Sequence, residues 1–124
     1  MRAPEPLAGL RVVAAPAALD ALAWPSGVTA LRFAPDDIFA LGAAEAPLDV
    51  AIAEREAGYV GWWLSLEEFG HHVAEFIEWP LPSVRPALAQ GLIAGVPAKV
   101  WLTADRALLL TAGAYAHELM DRLP

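Results

Sequence analysis

The chain contains no cysteine in 124 residues. That excludes a disulfide framework, a thiolate zinc site and a cysteine-held iron–sulfur cluster. Cationic side chains are nearly as scarce. Lys99 is the single lysine, and seven arginines stand apart from one another in a chain of net charge −7. Nucleic acid binding needs clustered lysine and arginine to neutralise phosphates, so neither nucleic acid nor an anionic membrane surface is expected as a partner. Long apolar runs are also missing. Arg11, Asp20, Lys99, Asp105 and Arg106 cut the longest ones well short of a membrane span. The alanine-rich start is interrupted by Pro4, Glu5, Arg11 and Asp20, so no signal-peptide core forms. The expected setting is the cytoplasm.

What is present is apolar surface. Hydrophobic residues make up 57% of the chain, and five of them are tryptophans: Trp24, Trp62, Trp63, Trp79 and Trp101. Tryptophan suits cores and binding faces better than catalysis, because it brings large apolar area and one N–H that wants a partner. The length fits one domain spanning residues 1–124, large enough to bury a core without a structural metal.

Periodicity and turn chemistry predict many short elements. LRVVAA at 10–15 reads as a strand, followed by a short helical stretch that ends before Pro25. Val28–Ala34 and Ile38–Leu41 form a hairpin around Pro35-Asp36-Asp37, where proline presets φ and aspartate bonds nearby backbone. A second hairpin is expected over Val50–Leu64 with its bend at Ala57-Gly58. Ser65-Leu66-Glu67-Glu68 is a capping box, and Leu66, Phe69, Val73, Phe76 and Ile77 continue at helical spacing to a stop at Trp79-Pro80. A proline-rich connector follows at 80–87. One strand within Leu92–Leu102, another at Ala107–Thr111 and a helix over Ala114–Leu123 complete the chain, with Tyr115, Leu119 and Leu123 inward. The fold class is α+β, a mainly antiparallel sheet with two main helices packed on it and a β-α-β-β-α second half.

Candidate chemistry is sparse. Glu68, His71, His72 and Glu75 stand three and four apart on one helix face, a spacing able to hold a divalent metal. Only His117 and Glu118 stand on another helix to match them, so the face reads as solvated acid–imidazole pairs and no metal is expected. Ser26, Ser65 and Ser83 are the only serines, and none sits in a nucleophile elbow. Asp36 and Asp37 could pair as acid and base, but beside Pro35 they read as turn residues. Glu54, Arg55 and Glu56 read as a solvated edge. Gln90-Gly91-Leu92-Ile93-Ala94-Gly95 lacks phosphate-loop spacing and reads as a strand with a bulge or a close backbone contact. No catalytic residue and no cofactor is assigned.

Two kinds of binding remain. Trp62 or Trp63, with Trp79 and Arg85 beside the stiff proline connector, would make a protein-contact surface, since tryptophan and arginine dominate binding hot spots. Alternatively Gln90, Lys99 and Trp101 would supply polar and aromatic contacts in a small-molecule pocket. Self-association through an apolar hairpin edge is a third reading.

LRFAPDDIFALG at 31–42 resembles the R-x-x-P-D-E strand–turn–strand of sarcosine oxidase γ subunits and aminomethyltransferase-type folate-binding domains. Leu64-Ser65 before a helix, and Tyr115-Ala116 in the closing helix, extend the likeness over residues 28–123. Asp49-Val50-Ala51 stands where that pattern has an aspartate-serine strand. The resemblance implies an α+β unit that carries no catalytic residues and serves as an accessory subunit of a folate- or flavin-linked oxidoreductase. The alternative is a stand-alone binding protein or enzyme for a folate- or flavin-like small molecule, with a tryptophan-lined pocket.

Overall fold

A computed structural model describes residues 1–47 and 52–124; Asp49-Val50-Ala51, and with it the start of the Val50–Leu64 hairpin, lies outside the described residues. The architecture is α+β and mainly antiparallel sheet, in agreement with the sequence pattern. The chain forms two compact units, one of Leu7–Gly58 and one of Tyr59–Pro124 together with Met1–Pro6.

In the first unit, β1 (Glu5–Val13) and β2 (Thr29–Ala34) both pair antiparallel with β3 (Asp37–Leu41). The expected hairpin at Pro35-Asp36 forms, with a register irregularity between Arg32 and Ala34. Five-residue α1 (Pro16–Asp20) has proline at its start, where the missing N–H costs nothing. Leu10, Val12, Leu19, Ile38 and Ala40 form the core of this unit, with Trp24 packed against it. Arg11 is the polar centre. Its Nε donates to Asp37 Oδ1 at 3.0 Å, its Nη1 to Glu56 Oε1 at 3.0 Å, and its guanidinium lies 4.9 Å from the Phe33 ring centroid. Asp37 is therefore an ion-pair partner that opens β3. Glu56 departs from the solvated-edge reading, because Arg11 draws its carboxylate inward.

The second unit holds the residues Tyr59–Ser65 of β4 (Ile52–Ser65), then β5 (Ala87–Ile93), β6 (Val96–Leu102) and β7 (Arg106–Ala112). They lie in the order β4–β7–β6–β5, all antiparallel. Two expectations are corrected. β4 runs straight through Ala57-Gly58, so the hairpin bend expected there does not form; residues 59–65 pair with β7 instead of folding back. Three strands, not two, follow the connector, giving β-α-β-β-β-α. The extra hairpin β5–β6 turns on Ala94 at φ 50° and Gly95 at φ 79°, two left-handed residues in the pattern of a type I′ turn. Ala-Gly is a weaker sequence signal for that turn than Asn-Gly.

Strand alternation gives this sheet two faces. One carries Trp62, Leu64, Ile93, Val96, Val100, Leu102 and Leu109, packed with Phe69 and Val73 on one helix and Leu119 and Leu123 on another. These helices are α2 (Leu66–His72) and α3 (Ala116–Arg122), so both main helices cover the same face. The capping box at Ser65 is present with both reciprocal bonds. α2 ends before Trp79, however. The chain tightens into a 3-10 turn at Ala74–Phe76 and becomes extended at Ile77, which frees the Phe76 carbonyl to accept from Ala94 N–H at 3.1 Å. Phe76 is half-buried, so its truncation falls below the roughly 3–5 kcal/mol of a fully buried phenylalanine. Tyr115 belongs to a 3-10 turn ahead of α3 and faces outward, 42% exposed, rather than into the core.

Candidate functional site

The other face of the second unit's sheet carries the chemistry. Cross-strand pairing brings Gln90 opposite Lys99 and Lys99 opposite Leu110; Leu110 in turn faces Gly61. On the next rung Leu92 faces Pro97, and Ala112 faces Tyr59. Ala112 brings almost no side-chain bulk to this face. A cavity of about 350 Å³ opens over these rungs, lined among others by Tyr59, Gln90, Leu92, Lys99, Leu110 and Tyr115. Lys99 Nζ donates to Gln90 Oε1 at 2.6 Å, which fixes both polar ends against the sheet. Among the described residues that line the cavity, Lys99 is the charged one.

Two of the three expected ligand residues thus meet in one hollow. Trp101 does not line it. It sits one rung away, half-buried between Leu88 and Leu108 in the pairing pattern. Tyr59 and Tyr115 were not singled out as ligand contacts from sequence. Tyr59 faces Ala112 only through the β4–β7 pairing, and Tyr115 reaches the cavity only through the path of the turn before α3, so neither had a local signal.

The expected contact surface is dispersed. Trp62 is 1% exposed and its Nε1 donates to the Arg2 carbonyl at 2.7 Å, so it is a core residue and not a contact residue. Parity explains this: Trp62 shares the helix-covered face with Leu64, whereas Trp63 points to the opposite one. Trp63 is half-buried beneath the Arg106 guanidinium, 3.9 Å from its ring centroid, and its carbonyl accepts from Arg2. Trp79 lies across Gly91 and donates from Nε1 to the Leu92 carbonyl at 2.9 Å. Arg85 turns back on its own loop, donating to the carbonyls of Pro82 and Val84. Val84 beside it is 70% exposed.

The α2 histidines do not gather ligands. The His71 and His72 rings meet edge-on with centroids 5.0 Å apart, and His72 Nδ1 is buried with no hydrogen-bond partner. Glu68 is committed to the Ser65 backbone N–H at 2.9 Å and to Arg2. Among the described residues no three histidine, aspartate or glutamate side chains converge as a metal site. Among them, too, no helix is long and apolar enough to cross a membrane. Comparison with protein-family models, curated proteins and solved structures finds no match to this chain.

Proposed function

We propose that this chain is a non-catalytic binding protein for a small molecule, held in the hollow over Gln90, Lys99, Leu110 and Tyr59. The observation that carries this reading is the Lys99–Gln90 pair at 2.6 Å inside a cavity of about 350 Å³. Ligand pockets begin at roughly 300 Å³ and combine an apolar lining with a few fixed polar groups. This one has that make-up. Ala112→Phe, placed on the cavity wall, should fill the space without touching the helix-covered core. Native mass spectrometry of the gently purified protein should show a retained small molecule that the Ala112→Phe variant lacks. A retained ligand at a hundred times its dissociation constant adds about 2.7 kcal/mol to stability. Identical bare masses, and no thermal shift of the wild type relative to the variant across a small-molecule screen, would sink the reading.

A second reading rests on the exposed connector. Val84 projects from a proline loop that Arg85 stiffens through two backbone carbonyls, a preorganised patch suited to a partner protein. It would serve as a contact of a cytoplasmic accessory subunit of a folate- or flavin-linked oxidoreductase, or in self-association. Affinity capture from the native host separates these outcomes: a stoichiometric flavoprotein lost on Val84→Asp supports the subunit, a concentration-dependent dimer supports self-association, and a solitary monomer excludes both.

A further inference from the structure

We infer that the hollow takes a neutral, flat aromatic molecule, held by apolar contact with Leu92, Pro97 and Tyr115; the inference rests on the binding reading above. Apart from the tyrosines, the described lining carries three polar side chains, Gln90, Lys99 and Thr111. Each is already engaged within the protein. Lys99 Nζ donates to Gln90 Oε1 at 2.6 Å, and the Thr111 hydroxyl, in a residue 1% exposed, donates to the Pro97 carbonyl at 2.8 Å. A charged or strongly polar ligand would shed its water here against groups that already have partners, and that exchange is unfavourable. A neutral apolar ligand sheds little and asks the wall only for surface.

That surface is open. Leu92 is 57% exposed and Tyr115 42% exposed, and both stand on the cavity wall with the exposed Pro97. Single exposed apolar residues are ordinary on a protein, whereas three around one concavity mark a contact site. Leu92 lies opposite Pro97 across the β5–β6 ladder, and Tyr115 arrives from the 3-10 turn that follows β7. Ala112, at the end of β7, adds a single methyl to the wall and leaves the space open. Covering Leu92, Pro97 and Tyr115 takes apolar area out of water, which is the driving force for binding. A flat ring system lies along the strands and also meets the Tyr115 ring, a ring–ring contact that an aliphatic chain does not make. At about 350 Å³ the cavity is near the lower end of ligand pockets, which suits about two or three fused rings.

The test titrates the full chain with 2-naphthamide and 2-naphthoate, which share shape and differ in charge. The amide should bind about tenfold tighter than the acid, because the carboxylate loses hydration without gaining a partner. Its affinity should be the same at low and high salt, and its binding should show a negative heat-capacity change, the marker of apolar burial. Leu92→Ser and Tyr115→Ala should each weaken the amide by about tenfold, while Tyr115→Phe should leave it unchanged. Both positions are exposed, and circular dichroism confirms the fold of each variant. An acid that binds as tightly as the amide, or tighter, overturns the neutral assignment and leaves the pocket standing. Amide binding that survives both truncations puts the ligand elsewhere and overturns it too. Failure of both probes to bind at millimolar concentration does the same, and the Ala112→Phe comparison then judges the pocket separately.

Discussion

Trp79 lies on Gly91 so closely that a β-carbon at position 91 would come within 2.7 Å of its Cε2 atom. The indole is thus seated directly on the backbone of β5, with its N–H bonded to the next carbonyl, that of Leu92. This contact ties the connector to the same strand residues whose opposite face lines the cavity. Gly91→Ala must push the ring away, and we expect it to cost about 1–3 kcal/mol, the range of overpacked sites. Trp79→Phe in the Gly91 background should cost less, about 0.5–1.5 kcal/mol for the lost hydrogen bond plus some area. Urea unfolding of both variants checks the pair, and near-additive costs in the double mutant would show that the contact contributes little.

Trp62 and Trp63 are neighbours in sequence with opposite fates. Trp62→Ala should destabilise by about 3–5 kcal/mol, since it empties a fully buried site and orphans the Arg2 carbonyl. Trp63→Ala should cost clearly less, because that ring is half-buried and its guanidinium neighbour remains solvated. Chemical denaturation midpoints of the two variants, compared at equal slope, decide the order.

The turn at Ala94-Gly95 holds a β-carbon in the left-handed region, at φ 50°. That position is pinned by the bond from its N–H to Phe76 and by Arg122 Nη1 donating to its carbonyl at 2.8 Å. Ala94→Asn creates the Asn-Gly pair that a type I′ turn favours, and should raise stability by about 0.5–1 kcal/mol. A rise in the melting temperature is the expected result; no change would mean that the turn already relaxes the strain.

Acid should weaken the α2 terminus. The Ser65 backbone N–H, helped by the Ser65 hydroxyl and Arg2, holds the Glu68 carboxyl below its ordinary value of 4.5 despite opposing desolvation. The folded state therefore binds that proton less readily than the unfolded chain. Its stabilising effect is complete above about pH 4.5 and is lost as pH falls through the lowered folded-state value. Glu68→Gln keeps a side chain able to cap but removes the charge. The wild type should be the more stable protein near neutral pH, with the gap closing as pH falls through the lowered folded-state value. Ser65→Ala should cost roughly 0.5–2 kcal/mol at any pH above that window.

Local chemistry alone determined several parts of this protein. Ser65 and Glu68 are three residues apart and bond each other's backbone whatever surrounds them. Pro35-Asp36 turns the chain within four residues, and the alternation of Val60, Trp62 and Leu64 against Tyr59 and Trp63 already separated two faces. Gln90-Gly91 read as a strand with a close backbone contact, and that contact is Trp79. Long-range pairing decided the rest. Which face of β4 is covered by helices depends on β7 and the return of α2 and α3, so Trp62 went to the core although its sequence surroundings match those of Trp63. Residues 59–65 did not fold back as a hairpin arm because β7 supplied their partner. The β5–β6 turn was hidden because its first left-handed residue is an alanine, held there by contacts with Phe76 and Arg122 far away in sequence. The cavity likewise has no local signature. It exists because the strands set the small Ala112 opposite Tyr59 and Gln90 opposite Lys99, and only tertiary registry can make those juxtapositions.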